Sequence, residues 1–119
     1  MEQESLEGIR LFNAQRYFEA HEALEAVWLK ATGDRKAFLH GLIQVAAAFH
    51  HHTSGNDAGF CTLLKKGCAK IEPFAAGFES VDTASLLHQL HRWQHHLEKP
   101  SPPPPPLPLI QLINKPQRS

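Results

Sequence analysis

Cysteine is scarce: the chain holds two, Cys61 and Cys68, in 119 residues. Placed on one helix they are separated by roughly 10 Å of rise, too far to bridge each other. Free thiols fit a reducing cytosol, and a cytoplasmic location is expected. An excess of either charge is also lacking, since 12 Lys and Arg face 12 Asp and Glu. Without a net field to attract polyanions, nucleic acid is not an expected partner. Long apolar runs are missing. The longest, "GLIQVAAAF", falls short of the roughly 20 residues that a membrane-crossing helix needs. The opening "MEQESLEGIR" is polar and acidic, so neither a signal peptide nor a membrane partner is expected. Strand-like alternation is absent as well.

What is present is helical period, over a length that suits one small domain. Apolar residues predict helices over Gln3–Ala14, Tyr17–Ala31, Arg35–Thr53, Ala58–Ile71 and Thr83–Glu98. "TGD" separates the second and third, with Gly33 as a stop and Asp34 as an N-cap. "SGND" is a turn, Pro73 ends the fourth helix, and "AAGFESVDT" is loop. "AQRYFEAHEALEAVW" and "GNDAGFCTLLKKGCAKIEP" each look like the second half of a tetratricopeptide unit, with Ala20 and Cys61 at matching small-residue positions. Their 41-residue offset exceeds a strict 34-residue unit. The expected fold is all-α: two stacked antiparallel hairpins plus a closing helix.

After residue 99 the composition changes, which divides the chain into a helical domain, 1–99, and a proline-rich tail, 100–119. Five consecutive prolines, Pro102–Pro106, dictate extended polyproline II rather than helix. "LPLIQLI" follows and is apolar. The tail is either a loose terminus or an arm whose leucines dock on the body or on a second subunit, giving a homo-oligomer.

The chemistry-bearing residues concentrate in "YFEAHEALEAVW", Tyr17 to Trp28. At 100° per residue, His21 and Glu25 lie on one edge of the second helix's apolar face, beside Trp28, with Glu22 and Glu19 further round. On the third helix His40, Gln44 and His51 share a stripe with Ala47 and Ala48. If the two edges meet, they enclose His21, Glu25, Gln44 and His51, with Glu22 at the rim and Tyr17 and Trp28 as walls. Three readings compete. One is a structural His–Glu–Gln hydrogen-bond network. One is a metal site, because imidazole and carboxylate suit zinc, manganese or iron and residues at i and i+4 can chelate one ion. One is a small-ligand or acid–base pocket. "HEALE" lacks the second histidine of the zinc-protease HExxH, and no Glu-x-x-His pair of di-iron bundles occurs. Of the remaining histidines, His88, His91 and His95 line the fifth helix opposite its leucines, where a solvated face is expected.

"LFNAQRYFEAHEALEAVW" followed by "FLHGLIQVAAAFHHHTSGN" resembles the prokaryotic domain-of-unknown-function family 309, over about residues 6–72. The resemblance carries over Asn13, Tyr17, Glu19, His21, Glu22, Glu25, Trp28, Gln44 and His51; His40 stands where Gln or Lys is usual. It implies a small helical bundle and no established activity. The expectation formed is a divalent transition metal held by His21, Glu25 and His51, with Glu22 as base toward bound water and Gln44 orienting a substrate in a hydrolase-like site. The alternative is a helical-repeat-like interaction module whose grooves bind a peptide or its own tail.

Overall fold

The computed structural model describes residues 3–113. Five helices follow in order: α1 Gln3–Asn13, α2 Tyr17–Trp28, α3 Gly33–Thr53, α4 Asp57–Ile71 and α5 Thr83–Glu98. A single 3-10 turn, Glu72–Phe74, extends α4. Each helix packs on the next in the chain, so the bundle is a run of antiparallel neighbours. Among the described residues there is no strand; two isolated bridges join Phe78 to Val81 and Val81 to Leu112.

Local chemistry sets the helix ends. α2 stops at Trp28, three residues before the expected Ala31, and α3 starts at Gly33, whose φ is +61°. Thr32 therefore holds the cap position, and Asp34 sits in the first turn, where its charge favours the helix dipole. α4 is capped by Asn56, which accepts from the Gly59 N–H at 3.0 Å. α5 is capped by Asp82, which accepts from the Ser85 N–H at 3.1 Å.

The apolar faces read from the sequence are the buried ones. Tyr17, Ala20, Leu24 and Val27 of α2, Phe38 to Phe49 of α3 at helical spacing, and Leu86, Leu90 and Trp93 of α5 enter one core. Phe49 is its hub: its ring centroid lies 6.4 Å from Phe12, 5.7 Å from Tyr17, 5.0 Å from Phe60 and 5.6 Å from Trp93, joining all five helices. α3 and α4 approach closely at two glycines. A Cβ on Gly67 would stand 2.7 Å from Val45 Cγ2 and 3.1 Å from the Gly41 carbonyl oxygen, so any side chain there would force a neighbour to shift. A Cβ on Gly41 would in turn lie 2.7 Å from Ile71 Cγ1 and 3.1 Å from Lys70 Cβ, which accounts for the glycine that opens "GLIQ". The two small-residue positions matched between the hairpins differ, however: Ala20 is buried and Cys61 exposed.

The tail packs on the body. Asn13 Nδ2 donates to the Ile110 carbonyl at 2.9 Å, and its Oδ1 accepts from the Ile110 N–H at 2.7 Å. Gln89 grips Leu109 in the same two-bond manner, with both distances 2.9 Å. Trp93 Nε1 donates to the Pro106 carbonyl at 2.9 Å. Ile110 enters the core at 2% exposure. Of the alternatives left open for the tail, docking on its own chain is the one seen through residue 113, while 114–119 lie outside the described residues.

Candidate functional site

α2 and α3 cross so that their polar edges do meet, but they frame two hollows. The first, about 250 Å³, is lined by His21, Glu25 and Trp28 from α2, by His40 and Gln44 from α3, and by apolar walls that include Leu63 of α4. The second, about 160 Å³, is lined by Phe18, His21, Ala47, His50 and His51. His21 borders both. Glu25 belongs to the first and His51 to the second. Tyr17 lines neither; it is buried one turn before His21, edge-on to Phe12 at 5.2 Å. Glu22 lines neither and faces solvent.

The polar atoms in this region are short of partners. Tyr17 Oη, His21 Nδ1 and Gln44 Oε1 are buried and make no hydrogen bond. A buried polar group without a partner costs roughly 1–3 kcal/mol, and such groups are few in native proteins. Two of the three, His21 Nδ1 and Gln44 Oε1, belong to residues that line the first hollow, whereas Tyr17 Oη lies outside both. Burial pushes the Tyr17 hydroxyl up to about 12, so it stays protonated and able to donate. Burial, followed by the charge of Lys70, holds His40 below the ordinary imidazole value and favours its neutral form. The His40 ring sits 5.5 Å from that of Trp28, over which Lys36 Nζ stands at 4.6 Å.

His51 has a partner that the sequence did not suggest. Asn56 Nδ2 donates to His51 Nδ1 at 3.2 Å, while Asn56 Oδ1 caps α4. A Cβ on Gly59 would lie 2.8 Å from Asn56 Nδ2 and 3.1 Å from His51 Cγ. The His51, Asn56 and Gly59 set is therefore a helix-start lock, and it fixes the ring so that Nε2 is the nitrogen left for other contacts. Among the described residues, no three His, Cys, Asp or Glu side chains converge closely enough to hold a metal ion. No described helix is long and apolar enough to cross a membrane.

The motif behind this geometry is recognisable. The family model for a domain of unknown function (DUF309) matches residues 6–63. Over that stretch the chain is similar to the DUF309 family. The matched stretch covers α1 to α3 and the start of α4, and so contains both hollows. A Bacillus subtilis (strain 168) protein described as the uncharacterized protein YpuF is 46% identical over 55 residues, covering 44% of this chain and 32% of that protein. The alignment thus spans about a third of the length of this curated relative. The DUF309 stretch supplies Asn13 but neither Gln89, Trp93 nor the tail that these three hold.

The sequence placed His21, Glu25, Gln44 and His51 in one pocket with Tyr17, Trp28 and Glu22 around it; of these, His21, Glu25, Trp28 and Gln44 line one cavity, His51 lines the neighbouring one, and Tyr17 and Glu22 line neither. Asn13 and Gln89 went unassigned as clamps, because an amide that binds backbone leaves no pattern in the chain.

Proposed function

We propose that the cavity between α2 and α3 binds a small, largely apolar molecule with one hydrogen-bonding edge. The observation that carries this reading is that His21 Nδ1 and Gln44 Oε1 are both buried, both unpartnered, and belong to residues lining the same cavity. Gln44 Oε1 can only accept, so the occupant presents an N–H or O–H there; His21 Nδ1 takes either sense. Trp28, Ile43, Ala47 and Leu63 supply flat and aliphatic walls. At about 250 Å³ the space lies below the usual 300–1,000 Å³ of drug-sized sites. The occupant is accordingly of a size with a short acid, an amide or a single ring.

A divalent transition metal is the second reading. Its support is that His21 and Glu25 stand one helical turn apart and line one cavity. His51 would have to join from the neighbouring hollow, and Glu22 would have to serve as base from the solvent side. The interaction-module reading rests instead on the groove already filled by the chain's own tail at Pro106 to Ile110.

Native mass spectrometry and elemental analysis of untagged protein, purified without chelator, test these together. A small organic adduct retained by the wild type and lost in Gln44→Leu is the expected result. One equivalent of metal, lost in His21→Ala, Glu25→Ala, would replace the ligand reading with the metal one. A bare protein whose Gln44→Leu variant is more stable would overturn both.

A further inference from the structure

The histidine face of α5 does not simply look into solvent. His88, His91, Arg92, His95, His96 and Lys99 follow one another at helical spacing over roughly 16 Å of rise, on the side opposite Leu86, Leu90 and Leu97. Across from them runs the proline tail, held in place by the Trp93 to Pro106 hydrogen bond. Ser101, Pro103 and Pro105 face the stripe and close a cleft of about 500 Å³. Pro100 and Pro104 take the other side of the strap, against Phe60, Trp93 and Leu97. The tail therefore builds one wall of a hollow whose opposite wall is six cationic or protonatable side chains.

We propose that this cleft is an anion site for a small phosphate-bearing solute, completed by the proline strap. Arg92 and Lys99 carry permanent charge and make no ion pair among the described residues, so neither is neutralised from within the fold. Arg92 brings the planar fork that matches phosphate oxygens. The four imidazoles add N–H donors along the same wall. No carboxylate lines the cleft. Acidic groups flank it: Glu72, on the 3-10 turn, lies 3.3 Å from His91, Glu98 follows on α5, and Asp57 shares an adjoining groove with His96. Permanent cations in the same stripe disfavour a divalent metal on His91 and His95, although those two stand one turn apart. The volume suits a ligand of small-molecule size, and the proline wall excludes a wide polymer from that side.

The test uses the full chain and calorimetric titration with inorganic pyrophosphate at constant ionic strength. Saturable binding with one site at pH 6 is expected. Arg92→Ala, Lys99→Ala should weaken it at least tenfold, whereas Lys65→Ala, Lys66→Ala, an equal charge loss on the exposed face of α4, should change it less than threefold. Circular dichroism of each variant establishes that it is folded. No saturable binding at pH 6, or equal losses in both double variants, would overturn the proposal. So would binding to phosphatidic acid vesicles without binding to pyrophosphate, which would make the feature a lipid-headgroup contact. Zinc uptake by the same histidines in the absence of pyrophosphate binding would overturn it as well.

Discussion

Asn13 and Ile110 are 97 residues apart and joined by two hydrogen bonds, with the Asn13 side-chain amide pairing both the N–H and the carbonyl of Ile110. The amide thus does for the tail what a neighbouring strand would do, and it seats the Ile110 side chain in the core. Asn13→Ala leaves both backbone groups without that partner. It should lower stability by about 1–3 kcal/mol, the usual cost of stranding a buried partner, as read by chemical denaturation. Removing residues 100–119 should lower the melting temperature further, since it also strips Ile110 from the core and the bonds at Gln89 and Trp93. An unchanged melting temperature would show that the docked tail adds nothing to the body.

Gly67 faces Gly41 where α3 and α4 meet. Alanine gains about 1 kcal/mol of helix propensity over glycine. Overpacking costs about 1–3 kcal/mol, and here the nearest atoms include backbone, which cannot turn aside. Gly67→Ala should therefore be neutral to about 2 kcal/mol destabilising, and Gly67→Leu clearly worse. Melting temperatures in that order would confirm the close approach; a stabilised Gly67→Ala would contradict it.

The two cysteines should react differently. Cys61 is exposed and Cys68 buried, and burial, followed by the charge of Glu72, pushes the Cys68 thiol up to about 12. A thiol reagent that attacks the thiolate should modify one cysteine in the native protein at pH 8 and the second only in denaturant. Peptide mapping should find the native label on Cys61.

His40 sets a pH dependence. Its burial and the Lys70 charge make protonation harder in the folded chain than in the unfolded one. The unfolded state then binds the extra proton, so stability is unaffected above about pH 6.5 and falls as the pH drops below it. Melting curves of wild type and His40→Gln between pH 8 and 5 should show the wild type losing more on acidification. Parallel losses would remove His40 as the cause.

Tyr17 tests the unpartnered atoms. Its hydroxyl is buried without a hydrogen bond, so Tyr17→Phe deletes a cost and keeps the ring against Phe12 and Phe49. In ligand-free protein this change should be neutral or stabilising by up to about 1 kcal/mol. A loss of stability in that protein would mean that the hydroxyl has a partner.

The sequence by itself determined the helices and which side of each is buried, because those follow from the 3.6-residue period within a few neighbouring positions. Phe38, Leu42, Val45 and Phe49 declare the core face of α3, whereas the caps Asn56 and Asp82 were read only as turn and loop residues. The polar positions of α2 were legible, and so was the expectation that His21, Glu25 and Gln44 share a cavity. Tertiary structure alone decided the rest. The crossing of α2 and α3 gives Glu25 and His51 to different hollows with His21 between them, which depends on how the two helices are set against each other. The tail's place was equally hidden. Asn13, Gln89 and Trp93 recognise backbone carbonyls and N–H groups, which every residue offers alike, across separations that local pattern does not reach.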